Sequence, residues 1–131
     1  MKRITILILL GSLIPLLSFA QIKVYKSYSS IKQKCDYIPE SINREIKIDK
    51  DLITISNFLN GGKEAAKLKI NKILNKEYVF EGICTWYYCT DTKKDIFNGY
   101  QKVIIILSKK GTIDVFYFAD EVTIYHNQLL Y

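Results

Sequence analysis

Residues 103–117 constrain this chain more than any other stretch. Val103 to Leu107 is a continuous apolar run, and Lys109-Lys110-Gly111 suits a three-residue hairpin loop with glycine in the left-handed position. That loop sets the register of the two strands it joins. Leu107 is placed opposite Ile113, Ile105 opposite Val115 and Val103 opposite Tyr117, while Ile104 pairs with Phe116 on the other face. A strand that is apolar on both faces is covered on both sides, so this hairpin belongs near the centre of a sheet system.

Other segments repeat the pattern. Arg44 to Phe58 reads as a hairpin turning at Lys50-Asp51, with Ile48 facing Ile53, Ile46 facing Ile55 and Lys47 facing Thr54. Ile22 to Tyr28 alternates as a first strand, and Val122 to Tyr131 reads as the last. Residues 29–43 are polar, contain Pro39 and read as a long connection. Asn60-Gly61-Gly62-Lys63 signals a turn. Residues 64–74 fit a helix start or a strand, and strand is preferred because every neighbour is one. Tyr78 to Thr90 is extended, with Gly82 marking a bend or bulge. Asn98-Gly99 is a strong turn dipeptide that would set Phe97 opposite Tyr100 and Asp95 opposite Lys102.

The fold class follows: all-β, an antiparallel up-and-down meander of about seven or eight strands, closed or nearly closed into a barrel. A two-sheet sandwich is the alternative. The ten tyrosines, six phenylalanines and many isoleucines suit pleated, half-buried surfaces.

The chain opens with Lys2-Arg3, an apolar run from Ile4 to Leu17, and small residues at Ser18 and Ala20. This is the pattern of a signal peptide over residues 1–20, cleaved before Gln21, and it predicts a secreted or periplasmic protein. Residues 21–131 then form a single domain. The formal charge of +6 is spread along the chain, which reads as a solvated surface and not as a nucleic-acid patch.

An oxidising compartment permits disulfides, and the chain has three cysteines, Cys35, Cys84 and Cys89. If residues 84–89 are one strand, Cys84 and Cys89 stand roughly 16 Å apart and point to opposite faces, so they cannot bridge each other. Either Cys35 bridges to one of them, or the thiols stay free. Their spacing lacks the close pairs of a zinc site.

No catalytic constellation is visible. The single histidine, His126, lies in a strand among packing residues. Asp120-Glu121 reads as a polar corner, and Asp91 with Asp95 lacks the remaining oxygen ligands of a calcium loop. No catalytic, cofactor or metal residue is therefore assigned. The aromatic segment around Trp86, with Cys84 and Tyr88 on its own face, is either a core cluster or the wall of an apolar pocket in a barrel mouth, completed by Phe116, Phe118 and Tyr125.

Four stretches taken together carry a resemblance: Ser18-Phe19-Ala20-Gln21, the hairpin from Ile46 to Ile55, Tyr88-Cys89-Thr90-Asp91, and Phe118 to Tyr125. The chain resembles small secreted β-proteins of unassigned function from bacteria of the Bacteroidota type. The likeness implies export and a lipocalin-like meander, and supplies no catalytic residues. The function expected is a non-catalytic binding module for a small apolar ligand or a protein partner. It uses no cofactor, binds no nucleic acid and is not embedded in a membrane. The alternative is an inhibitor or assembly factor acting through its surface without a pocket.

Overall fold

The computed structural model describes residues 22–33, 37–94, 99–119 and 122–131, and leaves the side chains of 30, 32–33, 37–40, 119 and 122–127 undescribed. Residues 1–20, expected as a leader, Cys35, Asp95 and the expected corner at Asp120-Glu121 lie outside this set. The described residues form ten strands and no helix: β1 (Lys23–Ser27), β2 (Ser29–Gln33), β3 (Tyr37–Glu40), β4 (Asn43–Ile48), β5 (Leu52–Leu59), β6 (Gly62–Tyr78), β7 (Gly82–Lys94), β8 (Tyr100–Leu107), β9 (Thr112–Ala119) and β10 (Val122–Leu130). The chain is all-β.

All ten belong to one antiparallel sheet in the order β1-β4-β5-β6-β7-β8-β9-β10-β2-β3. Its two ends meet in the first hairpin. β1 and β2 flank Tyr28 as one ribbon, and β3 and β4 form the next. Ser27 pairs with Arg44 and Ser30 with Glu40, so the second ribbon carries one extra residue, a β-bulge. β1 pairs with β4 while β2 pairs with β10, from Leu130↔Ser29 to His126↔Gln33. The result is an eight-ribbon meander, nearly closed into a barrel.

Two registers stand as the side-chain pattern required. Ile48↔Ile53, Ile46↔Ile55 and Lys47↔Thr54 pair across β4–β5, where Asp49 N–H donates to the Leu52 carbonyl at 2.9 Å. Leu107↔Ile113, Ile105↔Val115, Ile104↔Phe116 and Val103↔Tyr117 pair across β8–β9. Gly111 sits at φ +96° in the three-residue loop that Ser108 N–H closes on the Thr112 carbonyl. Residues 64–74 are strand, within β6.

Three expectations are corrected. Residues 29–43 are not a connection: they hold β2 and β3, polar strands held by backbone pairing to distant partners, which hydropathy does not reveal. Gly82 is not a bend inside one strand. It follows the Val79–Glu81 turn at φ +74° and opens β7 opposite Tyr78. Lys102 faces Thr90, not Asp95, and Tyr100 faces Lys94, not Phe97. The apolar run of β8 must oppose Cys89 and Tyr87, and that demand outweighs the turn preference of Asn98-Gly99.

Inward residues of β4 to β10 fill the barrel. Ile46, Ile53, Leu68, Val103, Ile105, Ile113, Val115 and Leu129 are at most 2% exposed and join Tyr87, Cys89 and Leu107 in one core, with Tyr25, Ile70 and Tyr117 packed against it. An eight-stranded barrel is just wide enough for its own side chains to fill, and here they do.

Tyr131 fastens the last strand to the β8–β9 loop. Its N–H donates to the Gly111 carbonyl at 2.9 Å, and its hydroxyl donates to the Ser108 carbonyl. A Cβ on Gly111 would stand 3.2 Å from the Tyr131 carbonyl oxygen, in a backbone conformation that disfavours side chains. Gly111→Ala is expected to lower stability by about 1–2 kcal/mol, read as a shift in the urea midpoint with an unchanged slope. An unaltered midpoint would show that the loop is not held in the left-handed conformation.

Candidate functional site

β7, β8 and β9 run side by side, so their outward residues form rows. One row reads Leu74, Trp86, Ile106, Asp114; the next Lys72, Tyr88, Ile104, Phe116; the third Thr90, Lys102, Phe118. These positions have the parity opposite to the core residues Tyr87, Cys89, Val103, Ile105 and Val115. Trp86, Tyr88, Phe116 and Phe118 therefore come together on the outside of the barrel. The pocket expected inside a barrel mouth does not contain them, because branched aliphatic side chains from all around the sheet already occupy the lumen. Tyr125 stands opposite Tyr117 in the ladder, and its side chain lies outside the described set, as does that of His126.

The outer aromatics contact one another in sequence. Tyr78 meets Trp86 edge-on with ring centres 5.6 Å apart, Trp86 stacks with Tyr88 at 6.4 Å, and Phe116 lies 6.5 Å from Phe118. Lys76 places its ammonium 4.0 Å from the Trp86 ring centre, and Lys72 lies 5.9 Å from that of Tyr88. The Trp86 indole N–H donates to the Lys76 carbonyl at 3.3 Å, which fixes the ring on the sheet. A groove of about 340 Å³ runs along this face, lined by Tyr88, Ile104, Phe118, Thr90, Lys102 and Asn71. Asn71 sits at the irregularity between Ile70 and Lys72 and donates to the Thr90 hydroxyl at 2.6 Å. That bulge turns Lys72, Leu74 and Lys76 onto the aromatic face.

Sequence reasoning assigned the four aromatics but missed Ile104, Lys102, Lys72 and Lys76. The signal was available in part: Ile104 already paired with Phe116 on the face away from Val115. Carrying that parity onto β7 would have placed Tyr88 beside them. The bulge that recruits the lysines had no mark in the sequence.

The two barrel mouths are also open. One cavity of about 420 Å³ is bordered by Tyr25, Asn75, Thr85, Leu107, Lys109 and Tyr131. The other, of about 490 Å³, is polar and bordered by Asn57, Lys63, Glu64, Ala66, Lys93 and Tyr117. Both are capped below by the filled core and share no residue with the aromatic face.

The thiols are placed as a single strand requires. Cys84 lies on the outer side of β7 and Cys89 on the inner side, both buried and both free; Cys35 lies outside the described residues. Burial, then the Glu81 carboxylate, pushes the Cys84 thiol above its ordinary range, and burial alone pushes Cys89 up to about 12. Neither thiol is poised as a thiolate nucleophile. Tyr78 is likewise pushed up to about 12, first by burial and then by Asp114, Glu81 and Cys84. Among the described residues no group of three or more histidine, cysteine or acidic side chains converges as a metal site. No family model, curated protein or solved structure matches this chain.

These shifts set an alkaline limit. Unfolded, the Cys89 thiol loses its proton near its ordinary 9.0, whereas folded it keeps it until about pH 12. The folded state therefore binds more protons between these values, and the stability that is complete below pH 9 falls as pH rises through this window. Urea midpoints measured from pH 8 to pH 10 should decline, and Cys89→Ala should flatten the decline. An equal slope in the variant would assign the effect elsewhere.

Proposed function

We propose that this protein is an exported, non-catalytic binding module that holds a small apolar ligand bearing an anionic group on its outer aromatic face. One observation carries the reading: Trp86, Tyr88, Phe116 and Phe118 gather with Ile104 on one outer face, where Tyr88, Ile104 and Phe118 line a groove, while the middle of the lumen is filled. That concentration of half-buried large rings on the outer side of the sheet is more than a barrel with a packed core requires. The groove has the size of a small-molecule site. Lys102 borders the groove, and Lys72 and Lys76 lie over the neighbouring rings of Tyr88 and Trp86, which suits a carboxylate or sulfonate at the edge of an apolar body. A second reading, a surface-acting inhibitor or assembly factor, uses the same face, and the groove's position on the open side of the sheet favours it.

Export rests on Lys2-Arg3, the run from Ile4 to Leu17, and the Ser18 and Ala20 positions. The protein recovered from the periplasm or medium of an expressing cell is expected to begin at Gln21. A mass retaining residues 1–20 would refute cleavage there.

Trp86 is the one tryptophan of the chain, so its emission reports on the face directly. Titration with anilinonaphthalene sulfonate, an aromatic ring system with one anionic group, should quench Trp86 and saturate. Tyr88→Ala and Phe118→Ala should each weaken the probe about tenfold, the loss expected for one aromatic contact. Unchanged affinity in both variants, with the fold intact, would sink the small-ligand reading.

A further inference from the structure

β6 and β7 outrun the rest of the sheet. The last pair of β5 with β6 is Leu52↔Lys69, yet β6 continues against β7 to Tyr78↔Gly82. The ribbon ends in the turn Val79-Phe80-Glu81, closed by the Glu81 N–H on the Tyr78 carbonyl at 2.9 Å. Phe80 occupies the third position of this four-residue turn at φ +65°, the left-handed region where glycine or asparagine is favoured. Its side chain is 94% exposed and Val79 is 73% exposed, with Ile83 and Ile73 about half exposed behind them. A phenylalanine here strains the turn and leaves its ring in solvent. Its place is not explained by the fold.

The tip also carries cations at its base. The Lys110 ammonium donates to the Phe80 carbonyl at 3.1 Å, and Lys109 stands exposed on the same β8–β9 loop. Ser108 donates to the Glu81 carboxylate at 2.9 Å, which ties the two turns together and engages that acid. Glu77 is the other acid of the ribbon end and faces Ile83 across the ladder. Below the tip, Tyr78 and Trp86 meet edge-on under the Lys76 ammonium. From apex to base the order is apolar wedge, then aromatic rings and lysines.

We infer that this tip docks on an anionic lipid surface, with Phe80 and Val79 entering the headgroup–acyl boundary and Lys76, Lys109 and Lys110 lying against phosphate groups. A convex turn apex suits a soft bilayer better than a protein partner, whose stable interfaces need a broad complementary patch. Tyrosine, tryptophan and lysine side chains are the ones that settle at a membrane–water boundary. The contact is peripheral, and the barrel stays outside the bilayer.

The test uses the chain from Gln21 onward, which holds every described strand. It is floated with vesicles of phosphatidylcholine alone, or with about 30% phosphatidylglycerol added to supply surface charge. Wild type should bind the charged vesicles, more weakly at high salt, and bind phosphatidylcholine alone poorly. Phe80→Gly removes the wedge and relieves the turn, so its melting midpoint should hold or rise while vesicle binding falls at least about tenfold. Lys109→Glu should also weaken binding to the charged vesicles. The inference is overturned if wild type binds neither vesicle, if Phe80→Gly binds as wild type does, or if Phe80 instead drives a concentration-dependent dimer in gel filtration. Phe80→Asn, equally at home at a positive φ, gives the same reading should the glycine variant misfold.

Discussion

Everything in this molecule depends on the inward row of branched side chains that closes the barrel over itself. Ile46, Ile53, Leu68, Val103, Ile105, Ile113 and Val115 come from neighbouring strands and are at most 2% exposed. Each one removed from water contributes on the order of 2 kcal/mol. Because side chains alternate, a one-residue slip in any ladder would send that strand's share outward. Burial therefore fixes register, and register fixes which residues are left for the outside. The aromatic face is a consequence of the core: once Tyr87, Cys89 and Ile105 point in, Trp86, Tyr88 and Ile104 have to point out.

The same logic explains what could be read from the sequence. The β4–β5 and β8–β9 hairpins were legible to the residue because the turn chemistry and the apolar period agreed. Where the two disagreed, the period won. Asn98-Gly99 proposed Asp95 opposite Lys102, but that pairing would have slid Val103 and Ile105 away from Cys89 and Tyr87. β2 and β3 were illegible for a different reason. Ser29, Ser30, Lys32 and Gln33 are polar residue types, and they are strand because β10 and β3 supply backbone partners on both sides. Long-range hydrogen bonding leaves no mark in local composition. The site residues were half legible: their aromatic character identified them, but their side of the sheet followed from a parity that had to be carried across three strands.

The stagger of the strands shapes the rest of the surface. β6 and β7 pass beyond the β4–β5 turn on one side, while β1 pairs only with β4 before β2 picks up β10. Rims of unequal height produce the two open mouths and leave the β6–β7 ribbon with a free flank. A free strand edge invites pairing with another chain, and lysines such as Lys72 and Lys76 are a usual guard against it. Here the bulge at Asn71 gives the same lysines a second use, since it brings them over the rings of Tyr88 and Trp86.

Small barrels place their binding surfaces according to what fills them. With eight strands, the interior holds either a layer of side chains or one small ligand, and side-chain size decides between these. A lumen lined with alanine and glycine would have left room throughout; isoleucine, leucine and tyrosine fill its middle here and leave space only at the two mouths. On β4 and β6 the outward positions include Glu45, Lys47, Lys67 and Lys69, whereas the rings of Trp86, Tyr88, Phe116 and Phe118 gather in the sector from the end of β6 to β9. The gathering of these rings in one sector, with cations at its border and Phe80 at its far end, separates recognition from folding: the inner faces of β7 and β8 hold the barrel together, and their outer faces present Trp86, Tyr88 and Ile104.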